Sequence, residues 1–127
     1  MSLSYRKLPN YKYQLTEVYI FQTSILNHSV TNHDFISLNR EGLLILRKGY
    51  AWDGATYFLD LKSIMRASLV HDAILQLIHQ DKLLPISCRK EADKLLSGMS
   101  KEDGMSKWLS LMVYAAVRVY AFVRHRT

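Results

Sequence analysis

The stretch that decides the fold is SIMRASLVHDAILQLIHQ, residues 63–80. Its apolar side chains recur at intervals of three and four residues, which predicts an amphipathic helix. Asp60 or Ser63 is a candidate N-cap, and the pattern ends at about Gln80, before Pro85. A helix of this register places one side toward the interior, and that side consists of Ala67, Val70, His71, Ile74 and Ile78.

Two more helices follow in the second half of the chain. The apolar spacing predicts one from Ser87 to Ser97, with Gly98 available for a left-handed stop. Another is expected from about Ser106 to Arg124. The residues from about 60 to 125 therefore read as a helical part.

The first half is rich in the residues that favour strands. Tyr11 to Ile25 predicts two or more strands, Phe35 to Leu38 a short one and Leu43 to Tyr50 a longer one. Asn39-Arg40-Glu41-Gly42 is typical of a hairpin turn. We expect an α+β fold in which a small N-terminal antiparallel sheet, within residues 10–58, packs against a C-terminal three-helix subdomain.

The composition fits one domain over residues 1–127, because 49% of the residues are hydrophobic and the length allows a sizeable core. The one cysteine, Cys88, excludes an internal disulfide. The first residues lack the apolar run of a secretion signal, and the most apolar stretch, 109–123, is interrupted by Arg118. A cytoplasmic location is the expectation.

The net charge of +6 is compatible with an anionic membrane surface, nucleic acid or simple solubility. The basic residues are scattered in small groups, without a recognition helix or zinc-ligand spacing, which argues against nucleic acid. The oligomeric state cannot be derived from the sequence.

His71-Asp72 and Asp93 form a candidate catalytic constellation. A carboxylate on one imidazole nitrogen orients the ring and leaves the other nitrogen free to take a proton from water. His71 would be the base and Asp93, from the second helix, its partner. The alternative is a hydrogen-bonded core histidine, with Asp93 paired to Arg89 one turn earlier. The residues leave both interpretations open.

The loop of residues 48–56 is a candidate calcium site. Its glycines allow tight turns that expose carbonyl groups, so Asp72 with the backbone of Tyr50, Trp52 and Gly54 could bind calcium, supported by Asp53. The alternative is a tight Asp53-Gly54 turn whose aromatic neighbours cap the core.

The third helix has a broad apolar face, for which we expect burial. The alternative is an interfacial helix whose terminal Arg124, His125 and Arg126 meet anionic lipid. The apolar face consists of Met105, Trp108, Leu109, Met112, Val113, Ala116, Val119, Tyr120 and Val123.

An ordered set of motifs over about residues 40–120 resembles a phage and prophage family catalogued as domain of unknown function number 1353. The resemblance implies a phage-related protein, which adds a virion-associated location to the cytoplasmic one, and it implies no activity. The motifs are Gly49-Tyr50-x-Trp52-Asp53-Gly54-Ala55, Arg66-Ala67-Ser68-Leu69-Val70-His71-Asp72, Arg89-x-x-Ala92-Asp93 and Tyr114-x-x-Val117-Arg118.

The His-Asp pair with a later Ala-Asp is also similar to secreted-type phospholipases, above all the disulfide-free version in parvovirus capsids. That resemblance implies His71 as the base that activates water, Asp72 as a calcium ligand and Asp93 as the orienting carboxylate. The family's tyrosine three residues after the aspartate is Leu75 here, and its calcium loop matches only loosely.

The working hypothesis is a hydrolase of esters or phospholipids with a His71/Asp93 dyad. The competing hypothesis is a non-enzymatic phage structural or host-interaction protein in which the same residues form a buried polar network. A dyad needs an open cleft over His71, whereas a structural network should be sealed. A His71 to Asp93 separation beyond hydrogen-bond reach, even through one water, would also count against the enzyme.

Overall fold

The computed structural model describes residues 3–10, 12–53 and 62–126. Within them the α+β class is confirmed, with strands in the N-terminal part and helices in the C-terminal part. The strands are β1 (Tyr5–Leu8), β2 (Lys12–Leu15), β3 (Tyr19–Gln22), β4 (Ile36–Leu38), β5 (Leu43–Leu46) and β6 (Ala51–Trp52). The helices are α1 (Lys62–His79), α2 (Pro85–Glu102) and α3 (Lys107–Arg126).

The strands form two antiparallel sheets instead of the one expected, in the orders β1-β2-β6 and β3-β5-β4. Alternate residues of each inner strand are buried, as the two-residue period of a strand requires. In the second sheet, Leu44 and Leu46 of β5 lie opposite Leu38 and Ile36 of β4, and all four are buried. One face of this sheet therefore contributes to the hydrophobic core.

Helix α1 is the central element, since it is buried on most of its circumference and packs chiefly against α2. The inward side expected from the sequence is confirmed, with Val70 and Ile74 fully buried and His71 only 6% exposed. The indole Nε1 of Trp52 donates a hydrogen bond of 3.1 Å to Oγ of Ser68, which ties β6 to α1.

Arg66, on α1, contacts Asp103 at the end of α2 and Phe21 in the second sheet. Its guanidinium donates to both carboxylate oxygens of Asp103, with distances of 2.9 and 3.1 Å, and it lies 5.6 Å from the ring centroid of Phe21 in β3. A bidentate arginine–carboxylate pair restricts orientation as well as distance. Arg66 thus fixes α1 against the end of α2 and against the second sheet.

The expected stop at Gly98 is wrong, because α2 continues to Glu102. Met99 and Ser100 are buried, so the helix extends its packed side past the glycine, and this packing outweighs the low helix propensity of glycine. The left-handed turn is made instead at Gly104, with φ of 111°. The helix also begins two residues earlier than expected, with Pro85 in its first turn, where proline is well tolerated.

Three further expectations differ in detail. Ser63 lies inside α1 and is not its N-cap, while Asp60 is outside the described residues. The long strand expected from Leu43 to Tyr50 ends at Leu46, since the turn at Gly49 has φ of 98° and separates β5 from β6. Strand β1 was not expected at all.

Among the residues that the structure describes, the length and hydropathy of the helices do not suit a membrane span.

The hairpin at residues 39–42 is confirmed. Oδ1 of Asn39 accepts hydrogen bonds from the backbone N–H groups of Glu41 and Leu43, with distances of 3.1 and 2.8 Å. Gly42 has φ of 88°, a conformation that side chains with a Cβ rarely adopt. A Cβ there would lie 2.6 Å from the carbonyl oxygen of Thr23.

We predict opposite effects on stability for alanine substitutions at Gly42 and at Gly98. We expect Gly42→Ala to lower the free energy of unfolding by about 2–4 kcal/mol, because of strain and the backbone clash. Gly98→Ala should raise it by about 0.5–1 kcal/mol, since a Cβ at that helical position meets nothing within 4 Å. Urea denaturation of both variants measures the pair, and equal effects would contradict the assignment of the two positions.

Candidate active site

The site lies where the three helices meet. Nε2 of His71, on α1, is 2.7 Å from Oδ1 of Asp93, on α2. The side chain of Asp93 is completely buried, and that of His71 retains 8% of its exposure. The two residues that the sequence placed in a dyad are therefore within hydrogen-bond distance, and the interface of α1 and α2 fixes the separation.

The second oxygen of the carboxylate is held from α3. NH1 of Arg118 donates a hydrogen bond of 2.8 Å to Oδ2 of Asp93, and the Arg118 side chain is 33% exposed. Asp93 thus accepts one hydrogen bond on each oxygen, from two different helices. Such a carboxylate cannot rotate without breaking one of the two bonds.

Arg89 is the third residue that contacts Asp93. The ion pair between these two residues, one turn apart on α2, is the pair that the sequence predicts. Nε of Arg89 lies 3.4 Å from Oδ1 of Asp93, but it has no hydrogen-bond partner among the described residues. The guanidinium lies 5.8 Å from the ring centroid of Tyr120 on α3. The Arg89–Asp93 pair is present together with the His71–Asp93 contact, so the two interpretations of Asp93 do not exclude each other.

The hydrogen bond determines which nitrogen of His71 can act as a base. A carboxylate oxygen only accepts, so the proton between the two groups belongs to Nε2 of the ring. In the neutral imidazole, Nδ1 then carries the free lone pair. No hydrogen bond from a described residue occupies Nδ1, although the His71 side chain as a whole is only 8% exposed.

Asp72 follows His71 on α1, about 100° further round the helix, and faces a different environment. Its Oδ2 accepts the backbone N–H of Asp53 at 3.3 Å. Burial raises the pKa of the Asp72 carboxyl to about 7, with a smaller contribution from the nearby Asp53 carboxylate and an opposing one from the hydrogen bond. Asp72 therefore faces the loop before α1, as expected, with a carboxyl group that titrates near neutrality.

The described residues fit the expected calcium ion poorly. The N–H of Asp53 already points at Asp72, and the carbonyl of Tyr50 accepts the N–H of Leu15 at 2.8 Å. Asp53 is exposed and pairs with Lys12 at 3.6 Å, and Gly54 lies outside the described residues. In the described parts of the chain, no three acidic, histidine or cysteine side chains cluster as metal ligands. Calcium binding stays a prediction.

A second polar chain, which the sequence did not reveal, lies beside Asp72. The hydroxyl of Tyr50 is 3.0 Å from Oε1 of Gln76, whose Nε2 is 3.2 Å from Nε2 of His33. Nδ1 of His33 accepts the N–H groups of Phe35 and Ile36, both at 3.0 Å. This chain joins α1 to the loop before β4 and leaves the ring of His33 fixed in place.

Cys88 is a poor candidate for a nucleophile. The fold brings its sulfur to 3.9 Å from Nε2 of His28, a proximity that sequence distance concealed. The cysteine is nevertheless 2% exposed, and burial raises the pKa of its thiol. A buried thiol whose pKa is raised is a poor source of thiolate.

Arg118 is the site residue that sequence reasoning did not assign. Its signal was present in the Tyr114-x-x-Val117-Arg118 motif and in the interruption of an otherwise apolar helix by one cation. The partner of that cation could not be found from periodicity alone, because the contact depends on how α3 packs against α2.

A comparison with family profiles matches residues 30–117, more than half of the chain, to a family described as "Protein of unknown function (DUF1353)". The matched range includes His71, Asp72, Asp93 and the Val117 that precedes Arg118. The searches of curated proteins and of solved structures gave no match.

The raised pKa of Asp72 predicts a pH-dependent effect of Asp72→Asn. The folded protein binds this proton more tightly than the unfolded chain, so the native carboxyl is neutral without cost below pH 3.8 and destabilises the fold as pH rises toward 7. We expect Asp72→Asn to raise the free energy of unfolding above pH 7, by up to about 2 kcal/mol, and to change little near pH 4. Denaturation curves at both pH values test this, and a variant less stable than wild type above pH 7 would contradict it.

Removal of the buried carboxylate of Asp93 should lower the stability of the fold. Asp93→Ala leaves His71, Arg89 and Arg118 without their shared acceptor, and we expect a loss of about 3–5 kcal/mol in the free energy of unfolding. The exposed Asp34→Ala is the control and should change it by less than about 0.5 kcal/mol. Similar losses in the two variants, measured by urea denaturation, would show that the Asp93 group is not a stabilising centre.

Proposed function

We propose that this chain, which belongs to the DUF1353 family of proteins of unknown function, hydrolyses an ester bond with His71 as general base. The observation that carries the proposal is the 2.7 Å contact between Nε2 of His71 and Oδ1 of Asp93, which leaves Nδ1 as the base. An oriented imidazole with a buried carboxylate on its far nitrogen is the arrangement that hydrolases use to activate water or a nucleophile.

The proposed step begins with a water molecule at Nδ1 of His71. Nδ1 takes a proton from the water while the water oxygen attacks the ester carbonyl carbon, and the carbonyl electron pair moves to its oxygen. The tetrahedral intermediate then collapses with cleavage of the bond to the alkoxy oxygen, which receives the proton back from Nδ1. The products are a carboxylic acid and an alcohol, and His71 returns to its initial state.

Asp93 and Arg118 act in this step by position and charge. The carboxylate stabilises the imidazolium that forms when Nδ1 takes the proton, and it keeps the ring in the tautomer with Nε2–H. Arg118 holds the second oxygen and prevents the carboxylate from turning away. Arg118 is therefore a positioning residue.

A phospholipid is the substrate class that we propose first. The similarity of His71-Asp72 and Asp93 to phospholipases supports it, as do the apolar side chains that α3 exposes close to the site. A phage-related role, in the host cell or in the virion, belongs to the same proposal, since the motifs resemble those of phage and prophage proteins.

One observation favours the competing function, a non-enzymatic phage structural or host-interaction protein. Asp93 is fully buried and His71 is 6% exposed, which suits a polar network that only fixes helix packing. The two functions differ in what they require of Nδ1. Catalysis needs this nitrogen as a base, whereas a packing network needs only the hydrogen bond from Nε2.

His71→Gln separates the two functions, because a glutamine amide can donate a hydrogen bond to Asp93 in place of Nε2 but supplies no base. Fatty-acid release from mixed phospholipid micelles should fall by at least about 100-fold in this variant. The variant His79→Gln, on the exposed end of the same helix, is the matched control and should retain wild-type activity. Circular dichroism confirms that both variants are folded.

The result that would contradict the proposal is equal release by wild type and His71→Gln, or no release by the folded wild-type protein from micelles or from soluble esters. Parallel reactions with calcium and with chelator test the metal separately. Release that requires calcium and is lost in Asp72→Asn would support the calcium site, and release that persists in chelator would exclude a calcium requirement.

A further inference from the structure

We propose that the outer face of α3 docks on a membrane surface that contains anionic lipid. The outer face comprises Trp108, Leu111, Met112, Val119 and Val123. This inference goes beyond the proposed activity, since it concerns a binding surface and does not require the dyad to be catalytic.

The outer face is exposed to an extent that is unusual for large apolar side chains. Trp108 is 75% exposed, Val119 62% and Val123 56%. More than half of the exposed large hydrophobic residues in the described parts of the chain lie on this one helix. The burial expected for the apolar face of α3 is therefore wrong at Trp108, Met112, Val119 and Val123, whereas Met105 and Val113 are buried as expected. Contiguous exposed apolar surface of this kind marks an interaction site.

The helical geometry gathers the exposed residues into one stripe. With about 100° per residue, the five positions fall within roughly a third of the helix circumference. The opposite side contains the buried Ser110, Val113 and Ala121 and packs against α2. Since its inner side is bound to the fold, α3 can offer the stripe only along its length, as an interfacial helix does.

Charge identifies the partner. The sequence of α3 contains no aspartate or glutamate and has three basic residues, Lys107, Arg124 and Arg126, besides Arg118, which is paired with Asp93; the chain as a whole carries a net charge of +6. A second copy of the chain would bring the same positive helix and would be repelled. An anionic lipid surface attracts basic residues and accepts the apolar side chains next to them.

The position of the dyad agrees with this orientation. Arg118 lies at the edge of the stripe and donates to Asp93 at 2.8 Å, so the helix that would contact lipid also holds the carboxylate of the candidate dyad. Docking through the outer face would place Arg118, the positioning residue of the candidate site, at the edge of the contact. The lipid surface would then be both the binding partner of α3 and the source of the candidate phospholipid substrate.

The two tryptophans give a direct probe. Trp52 is 3% exposed and should report no change, whereas Trp108 should move from water to lipid. We expect the emission maximum of the full chain to shift to shorter wavelength on addition of phosphatidylcholine vesicles that contain phosphatidylglycerol. The shift should grow with the phosphatidylglycerol fraction and diminish at high salt. Trp108→Phe should abolish it.

Two matched variants test the stripe itself by vesicle co-sedimentation. Val119→Glu places a charge in the centre of the outer face, and Val18→Glu makes the same change at a 41% exposed position ahead of β3. We expect Val119→Glu to weaken binding at least about tenfold and Val18→Glu to change it less than about twofold. Both are made in the His71→Gln background, so that hydrolysis of the vesicles does not interfere.

Three results would overturn the proposal. The first is no binding of the folded protein at any phosphatidylglycerol fraction in low salt. The second is equal loss in the two glutamate variants, which would indicate a general charge effect. The third is a dimer in sedimentation equilibrium that Val119→Glu dissociates, without vesicle binding, which would assign the outer face to a second copy. None of these depends on whether the dyad hydrolyses an ester.

Discussion

The buried carboxylate of Asp93 is the group on which the helical half depends. It accepts a hydrogen bond from α1 through His71 and another from α3 through Arg118, while Asp93 itself belongs to α2. Removing a charge from water is costly, and the cost is offset only when partners satisfy the charged group. Any rearrangement of the three helices would break one of these contacts. Asp93 therefore links all three helices, in addition to their apolar packing and the Arg66–Asp103 pair, and it also orients the candidate base.

The neighbours His71 and Asp72 show how one helix serves two environments. Their 100° separation turns the imidazole toward Asp93 and the carboxyl toward the loop of Asp53. The first group is held by an ion-pair cluster within the helices. Burial raises the pKa of the second to about 7, and its nearest contacts come from the β-rich part. Since Trp52 and Tyr50 also reach α1 from that part, the strands act as the support for the helix that carries the site.

Periodicity predicted much of this arrangement, because it records which side of an element is buried. The inward side of α1 follows from spacing, and the hairpin at Asn39 to Gly42 follows from residue type. The contact of His71 with Asp93 was one of two interpretations that the residues left open. The end of α2 does not follow from spacing or residue type, since packing of Met99 and Ser100 overrides the local preference of Gly98. The outer face of α3 was misjudged for a related reason. An apolar stripe looks the same in sequence whether a core or a partner covers it, and only the packing of α3 on α2 distinguishes the two.

The most direct test of the central claim is the tautomer of His71, measured by long-range ¹H–¹⁵N correlation NMR on the full chain. The account predicts a neutral ring protonated at Nε2 and unprotonated at Nδ1, with a downfield-shifted Nε2 proton that moves upfield in Asp93→Asn. A ring protonated at Nδ1, or an Nε2 proton that does not respond to Asp93→Asn, would contradict it, because Nδ1 would then lack the lone pair that the proposed reaction requires.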